Sequence, residues 1–365
     1  MHALVSRSML ALALLAAGSG LAAAAQKCVD PKHALGVSRV VEIDTASGPR
    51  FGHQQYPDIN FLADKEVVLT FDDGPLRPYT RPVLDALEAE CTRATFFLVG
   101  RMALADPAMV REISRRGHTV GAHTWSHQNL RKLTPLKARH EIELGFSAVR
   151  LALGRPPAPF FRFPYLGDTK SMNGLMQSRR MGVFSIEVDA TDYRTKDPAQ
   201  VHQNILNQLA EKRKGIILFH DIQTSTSHAL PGLLAALKAQ GYRVVHMVPK
   251  TAATTLAEFD ALAKEEAGQR QVATLSKPLV DRSLTWSINT RVAAADGGGG
   301  VPAPQAARRP GPALAPALPP LTQGSQPALV APPVPLTAEQ RSVLRQMARQ
   351  RAAEGEWRTR VFAPN

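Results

Sequence analysis

The amino-acid sequence predicts an α/β fold, a distorted, incomplete (β/α) barrel of about seven parallel strands. Between Glu66 and Pro249, short apolar runs alternate with amphipathic helical patterns. Repeated strand–helix units of this kind form a parallel sheet covered by helices. These units occupy roughly 180 residues, whereas a complete eight-stranded barrel typically needs about 250. We therefore expect a barrel that does not close.

Seven apolar runs have the length and composition of buried strands. They are Val67–Phe71, Ala94–Val99, His118–Ala122, Phe160–Phe163, Val183–Ile186, Ile216–Phe219 and Arg243–His246. Four stretches between them carry apolar residues at helical spacing, namely Pro82–Glu90, Pro135–Leu153, Pro198–Arg213 and Ala229–Ala239. Because helices connect the strands, we expect the carboxyl ends of the strands to meet at one mouth of the barrel.

Residues 1–25 have the pattern of a secretory signal peptide. Arg7 provides the positive charge, the apolar run Met9–Ala17 follows, and Ala23–Ala25 offers a cleavage site before Gln26. The apolar run is too short to span a bilayer comfortably. The sequence therefore predicts an exported protein, periplasmic or extracellular, with an uncleaved N-terminal anchor as the alternative.

The segments around the main domain, residues 65–250, differ in composition. Residues 26–64 read as an N-terminal arm with a strand at Val40–Ile43, and residues 251–300 as a C-terminal extension with a helix at Leu256–Glu266. After them come a Pro/Ala-rich linker, 301–336, and a short helix and tail, 337–365. We expect this C-terminal region to be disordered, with a helix that binds a partner or a membrane surface as the alternative.

The charge balance and the cysteines restrict the choice of partners. Lys+Arg number 44 against 31 for Asp+Glu, a formal net charge of +13. This surplus serves solubility, or attracts anionic cell-wall polymers or membrane surfaces through the basic tail. Nucleic acid is not expected as a partner, because no nucleic-acid-binding motif is found. Cys28 and Cys91 are predicted to form a disulfide after export, with two unpaired thiols as the alternative.

Two adjacent carboxylates, Asp72 and Asp73, close the first strong strand. Gly74 and Pro75 end the strand there, so both side chains can reach the barrel mouth. One carboxylate could bind a metal ion while its neighbour acts as a base. The alternative for this motif alone is an acidic turn, since Asp, Gly and Pro favour turns.

His123 and His127 follow the third strand at a spacing that places both on one helical or turn face. With Asp73 they would offer two nitrogens and one oxygen to an ion. Such a set leaves positions open for water, as catalytic zinc sites require. Two surface histidines without a ligand are the alternative.

Further polar residues also stand at predicted strand ends. Arg162 lies in an aromatic strand and needs a buried anionic partner, for which Asp72 is the candidate. Asp189 and Asp192 follow another strand, and His220 ends the strand Ile216–Phe219. Because all of these residues share the carboxyl end of the sheet, we expect them to form one site.

Five segments together resemble carbohydrate esterase family 4, the polysaccharide deacetylases with the NodB-homology domain. They are Thr70–Pro75, His123–His127, Arg162–Tyr165, Asp189–Tyr193 and Leu218–His220, in the family's order. The resemblance covers about 180 residues, half of the chain. It implies that residues 65–250 form a polysaccharide deacetylase domain.

The resemblance also implies a role for each matching residue. Asp73, His123 and His127 would hold a divalent metal ion, zinc by default and otherwise cobalt, and Asp72 would be the general base. The remaining residues would orient the base, donate a proton or line the pocket. They are Arg162 beside the base, His220 as general acid, Asp192 as its partner with Asp189 as the alternative, and Tyr165, Tyr193 and Leu218 at the substrate and oxyanion. Tyr193 stands where the family has tryptophan.

The implied reaction is metal-dependent hydrolysis of N-acetyl groups on N-acetylglucosamine-type residues of a polysaccharide or oligosaccharide, such as a chitooligosaccharide, with release of acetate. Two alternatives stay open, an O-acetyl polysaccharide esterase and a catalytically idle cell-wall-binding protein. A glycosidase without a metal would leave His123 and His127 without a role.

Overall fold

The computed structural model describes residues 30–275, which belong to one compact unit. The predicted signal peptide, the Pro/Ala-rich linker and the terminal short helix and tail lie outside the described residues. Cys28 also lies outside them, so the predicted disulfide between Cys28 and Cys91 stays a prediction. Among the helices of residues 30–275, none combines the length and the apolar character that crossing a membrane requires.

Strands and helices alternate along the described chain. The strands are β1 (Arg39–Ile43), β2 (Arg50–Phe51), β3 (Glu66–Asp72), β4 (Thr95–Leu98), β5 (Thr119–Ala122), β6 (Phe160–Phe161), β7 (Gly182–Phe184), β8 (Val188–Asp189), β9 (Gly215–His220) and β10 (Arg243–Pro249). The α-helices are α1 (Arg77–Ala89), α2 (Gly100–Ala105), α3 (Pro107–Arg115), α4 (Pro135–Leu153), α5 (Lys170–Ser178), α6 (Pro198–Lys212), α7 (Thr224–Ala239) and α8 (Ala257–Leu275).

The sheet is parallel and does not close into a barrel. Its order is β1-β10-β3-β4-β5-β6-β7-β2, and β9 pairs with both β3 and β8. Within residues 30–275, no pairing joins β7 to β8. The prediction of an incomplete parallel barrel is therefore confirmed, and its seven strands correspond to β3, β4, β5, β6, β7, β9 and β10. The two-residue strands β2 and β8 are too short to give a sequence pattern.

β3 is the central strand of the sheet. It pairs with β9 from Val67 to Asp72 and with β4 near its carboxyl end. Alternate residues face two layers, because Val67 and Leu69 pack with the helices whereas Val68 joins an inner cluster. That inner cluster includes Val68, Phe97, Phe160, Phe184 and Ile216. It fills the barrel interior below the mouth, where Thr70 and Asp72 share the inward face of β3.

The helix starts follow the sequence in two cases and depart from it in two, since α7 begins at Thr224 and not at the predicted Ala229. α4 and α6 begin at Pro135 and Pro198, as predicted, because proline suits the first position of a helix. α1 instead begins at Arg77, and Pro82 lies inside it. A proline there removes one backbone hydrogen bond. The fully buried face around Leu84 holds the helix against the sheet despite that loss.

The predicted arm and extension both contact the barrel. β1 pairs with β10, as expected from Val40–Ile43, and β2 pairs with β7. α8 packs against α4, where Arg150 Nη1 donates to Asp260 Oδ2 at 2.8 Å. Phe51 of β2 and Phe259 of α8 belong to the inner and outer hydrophobic clusters, respectively. Both segments therefore add to the core of the barrel.

A glycine allows α4 to approach the loop that follows β5. A Cβ atom on Gly145 would lie 2.5 Å from the carbonyl carbon of Thr124. At this closest point, the N–H of Trp125 donates to the carbonyl of Glu141 at 2.7 Å. The position of this loop therefore depends on the absence of a side chain at Gly145.

We predict opposite effects on stability for two glycine-to-alanine substitutions in helices. Gly145→Ala lowers the free energy of unfolding, because overpacking costs about 1–3 kcal/mol and outweighs the gain of about 0.5–1 kcal/mol of alanine over glycine. Gly174→Ala in α5 raises it, since nothing lies within 4 Å of the added Cβ. Urea unfolding measures both, and equal changes in the two variants would contradict the close approach of α4.

Candidate active site

The polar residues singled out in the sequence gather at the carboxyl ends of five strands, β3, β5, β6, β8 and β9. Asp72 ends β3 and His220 ends β9, while His123 follows β5 and Arg162 follows β6 directly. This mouth of a parallel barrel is where active sites form. The structure therefore brings together side chains that are up to 148 positions apart, between Asp72 and His220.

Arg162 is fully buried and binds Asp72. Its Nη1 donates to Asp72 Oδ1 at 2.8 Å and to Thr70 Oγ1 at 2.8 Å. Its Nε and Nη2 donate to the carbonyls of Phe184 and Ser185 at 3.1 and 3.2 Å. Burial lowers the pKa of Arg162 and Asp72 opposes this shift, but a guanidinium stays charged in proteins. The predicted pairing of Arg162 with Asp72 is present.

The backbone turns sharply after Asp72 and directs Asp73 into the mouth. Asp73 has a φ of 76°, which is uncommon outside glycine. Gly74 then lies against Asp221, whose Oδ2 would be 2.2 Å from an added Cβ. Asp221 accepts hydrogen bonds from Gly74 N at 3.1 Å and from Thr80 Oγ1. The sequence analysis missed Asp221, although a carboxylate directly after His220 at a strand end was a usable signal.

The two buried carboxyls Asp221 and Asp73 have pKa values shifted in opposite directions. Burial raises the pKa of Asp221 to about 7, while the Thr80 hydrogen bond opposes this rise. Burial also raises the pKa of Asp73, but the neighbouring His127, His220 and His123 outweigh it and bring that pKa below its ordinary value. Asp73 is therefore the carboxylate of this pair that stays ionised near neutral pH.

Asp73, His123 and His127 converge on one point. Their ligand atoms all lie within 4.8 Å of one another. Asp73 Oδ1 is 3.1 Å from His127 Nε2 and 3.5 Å from His123 Nε2. The same oxygen is buried and has no hydrogen-bond partner. A buried carboxylate oxygen without a partner beside two imidazole nitrogens fits a divalent metal ion of the kind that takes mixed nitrogen and oxygen ligands.

His123 is oriented for this task by the backbone of Arg162. Its Nδ1 donates to the Arg162 carbonyl at 2.7 Å, so Nε2 carries the lone pair that faces Asp73. Burial lowers the pKa of His123 to about 4, and the ring is therefore neutral at pH 7. Ligand histidines commonly have such a partner on their other nitrogen, which fixes the tautomer.

The loop between the two histidines is a tight turn and not a helix. Thr124 and His127 both have positive φ angles, and the His127 N–H donates to Thr124 Oγ1 at 3.0 Å. Glu141 of α4, which is buried, accepts from the Ser126 N–H and from Ser126 Oγ at 2.8 Å each. Glu141 therefore fixes the loop, and the sequence analysis missed it because the residue lies inside a regular helical pattern.

His220 is paired with Asp192. Asp192 Oδ1 accepts from His220 Nδ1 at 2.7 Å, and Oδ2 accepts from the His220 N–H at 2.7 Å and from Thr226 Oγ1. Burial lowers the pKa of His220, but Asp192 outweighs it and raises this pKa to about 10. Asp189, the other predicted partner, accepts instead from the Thr191 N–H and the Tyr193 hydroxyl. Of the two carboxylates, only Asp192 contacts His220.

Two tyrosines stand at the rim of the site. Tyr165 is 66% exposed and its ring lies edge-on to His127, with centroids 4.9 Å apart. Tyr193 is 48% exposed and its ring lies edge-on to His220, with centroids 5.5 Å apart. Leu218 is buried below them, on the same face of β9 as His220. The predicted substrate-side residues thus surround the histidines of the site.

Comparison with known proteins gives consistent matches. The family model described as "Polysaccharide deacetylase" matches residues 61–183. A peptidoglycan-N-acetylglucosamine deacetylase of Bacillus cereus is 33% identical over 188 residues, covering 49% of this chain and 67% of that protein. The Listeria monocytogenes peptidoglycan-N-acetylglucosamine deacetylase PgdA is 31% identical over 182 residues, and the match spans 50% of this chain but only 38% of that protein.

A solved structure also resembles this one. The Bdellovibrio bacteriovorus peptidoglycan deacetylase Bd3279 superimposes with a TM-score of 0.55 at 30% sequence identity. The superposition covers 62% of this chain and 63% of that one.

We predict that Asp73 and the two histidines bind one divalent ion, and that Asp72 does not. Equilibrium dialysis with Zn²⁺, followed by elemental analysis, should show stoichiometric binding by the wild-type chain. Asp73→Asn and His127→Ala should weaken binding by more than the roughly 10- to 100-fold loss typical of outer partners of metal ligands. Asp72→Asn is the matched control and should retain the ion. Loss of the ion from Asp72→Asn alone would exchange the roles of the two carboxylates.

Proposed function

Because this chain belongs to the polysaccharide deacetylase family, carbohydrate esterase family 4, we propose that it hydrolyses N-acetyl groups of a cell-wall polysaccharide. The units attacked are of the N-acetylglucosamine type, and the products are acetate and a free amine. The names of the two curated relatives support peptidoglycan as the polymer. Peptidoglycan lies outside the cytoplasm, and the predicted signal peptide agrees with that location.

One observation carries the proposal, the pairing of a base and an acid across the sheet. Asp72 and His220 are direct partners in the β3–β9 register, so their Cα atoms are separated by about 4.8 Å, the spacing of neighbouring strands. Asp72 is held by Arg162, and His220 is held by Asp192. Amide hydrolysis needs both a proton acceptor and a proton donor near the scissile bond.

The metal site supplies the electrophilic part of the chemistry. Asp73, His123 and His127 would hold a divalent ion, which would supply Lewis acidity and lower the pKa of a water molecule. Two imidazole nitrogens and one carboxylate oxygen favour zinc, with cobalt as a functional substitute. In the family pattern, the backbone N–H of Tyr165 adds a hydrogen-bond donor for the oxyanion, and such donors are often a large part of the rate enhancement.

Asp72 is suited to accept the proton of the attacking water. Its Oδ1 is occupied by Arg162 Nη1, whereas Oδ2 faces the metal-binding residues, 3.8 Å from His123 Nε2. The proton therefore goes to Oδ2. Arg162 keeps the carboxylate in place and balances its charge, because the guanidinium is itself fixed by the carbonyls of Phe184 and Ser185.

His220 is suited to protonate the departing amine. Its Nδ1 donates to Asp192, so the Nε2–H of the imidazolium is available to the leaving group. An amine leaves poorly without a proton, and general acid–base assistance is worth roughly 100- to 10,000-fold in rate. Tyr193 packs edge-on beside this ring and, with Tyr165, forms the walls that would receive the sugar.

The substrate class is tested by acetate release from matched substrates. We expect the zinc-loaded chain to release acetate from N-acetylated glycan strands and chitooligosaccharides, and far less from O-acetylated xylan. Asp72→Asn is the control and should lose at least about 100-fold in turnover while keeping its metal. Acetate from the O-acetylated polymer alone would identify an esterase. No acetate from either polymer, with metal bound, would identify a wall-binding protein.

The pairing of His220 with Asp192 predicts a specific pH dependence. An acid acts only while protonated, so activity falls as pH rises through the pKa of His220, which Asp192 holds high. In Asp192→Asn this pKa drops, and the alkaline limb of the kcat/KM profile should move to lower pH by about one unit or more. Asp189→Asn is the matched control, because Asp189 does not contact His220. An equal displacement in both variants would refute the assignment of His220 as the acid.

A further inference from the structure

A shallow cavity of about 430 Å³, open to solvent, lies along α3 beside the carboxyl-terminal end of α4. The three arginines that line it are exposed. Its lining residues are Ala108, Arg111, Ser114, Arg115, Leu153 and Arg155. Helices in strand–helix units run opposite to the strands, so Leu153 and Arg155, at the carboxyl-terminal end of α4, lie toward the end of the barrel away from the catalytic mouth. The cavity is therefore separate from the site described above.

The lining of this cavity, which we call the arginine cavity, carries three positive charges and no carboxylate. Arg111 and Arg115 are four residues apart on α3, a spacing at which like charges repel. Glu112, the nearest acidic residue in the chain, is turned to other arginines and accepts from Arg81 and Arg116 at 2.7 Å each. The three guanidiniums are therefore not neutralised by an acidic group of the lining.

The hydrogen bonds of the arginine cavity hold its side chains but leave donors free. Arg155 Nη2 donates to Ser114 Oγ at 2.7 Å, and Arg111 Nη1 donates to the Ala152 carbonyl at 2.9 Å. Each guanidinium has five N–H donors, so these contacts use a minority of them. Since the Ser114 oxygen accepts from Arg155, its own hydrogen is available to a ligand.

Helix capping explains part of this arrangement but not all of it. A cation near a helix carboxyl end is favourable, and Arg111 satisfies a terminal carbonyl of α4 in this way. Arg155 instead orients a serine hydroxyl at the cavity. A third cation, Arg115, lines the same space. Three guanidinium groups and one hydroxyl match the three or more acceptor oxygens of a phosphate better than the two acceptor oxygens of a carboxylate.

We propose that the arginine cavity binds a phosphate group, borne by a soluble or polymer-linked phosphate ester. The site is independent of the catalytic chemistry, since it shares no residue with the mouth of the barrel. Occupancy of the cavity would hold the protein by one face and leave the opposite, catalytic face open to glycan.

The proposal is tested by isothermal titration calorimetry on the full chain. The ligands are glycerol phosphate, a short glycerol phosphate polymer and, as the matched carboxylate control, glycerate. We expect both phosphates to bind more tightly than glycerate. Arg115→Gln/Arg155→Gln should weaken phosphate binding on the order of tenfold or more, as loss of charge-assisted bonds predicts. Lys170→Gln/Arg180→Gln removes two charges outside the cavity and should bind as the wild type does.

Two further measurements decide among the remaining outcomes. The double variant Arg115→Gln/Arg155→Gln should unfold at the same temperature as the wild type and turn over a small acetylated substrate at the same rate. If the double variant does not fold, the single variant Arg115→Gln is measured in its place. Equal phosphate affinity in all three proteins would overturn the proposal. Binding to phosphatidylglycerol vesicles without binding to either soluble phosphate would also overturn the proposal, because it would indicate a membrane surface and not a phosphate pocket.

Discussion

The active site is organised around one buried cation, the guanidinium of Arg162. A charge inside a barrel is costly unless it is paired and its donors are satisfied. Arg162 meets that requirement with Asp72, Thr70 and two carbonyls from the β7 end, so it connects three strands at the mouth. Its own carbonyl accepts from His123. The proposed base and one proposed metal ligand are thus oriented by the same residue, and Asp72 cannot shift without leaving the buried guanidinium unpaired.

The two buried histidines of the candidate site have pKa values shifted in opposite directions. His123 and His220 are both enclosed, and burial alone lowers the pKa of each. His123 has a neutral carbonyl as its partner and stays neutral, which suits a ligand. His220 has the carboxylate of Asp192, which reverses the effect and keeps the ring charged. The chemical role of each ring therefore follows from the charge of the group at its Nδ1, more than from its depth in the fold.

Sequence reasoning was accurate where the signal is local. Strand and helix periodicity predicted the barrel, and polar residues at strand ends predicted Asp72, Asp73, His123 and His220. It preferred Asp192 to Asp189 as the partner of His220 on the family resemblance alone, because both follow one strand and the packing of α7, through Thr226, is what holds Asp192 in place. Glu141 and Asp221 were missed for a related reason. Their partners are backbone N–H groups and hydroxyls of other segments of the chain, and such contacts leave no periodic pattern.

The β3–β9 register has a consequence for how proteins of this architecture can diversify. Asp72 and His220 are fixed relative to each other by backbone hydrogen bonds along six paired positions, and a slip of one residue would turn either side chain to the opposite face of the sheet. Tyr165 and Tyr193 instead lie in exposed loops. Changes of loop length or aromatic type can therefore alter the rim of the candidate site while the spacing of the proposed proton-transfer pair is inherited intact. Substitutions in the loops and substitutions in the paired strands can therefore change different properties of the protein independently.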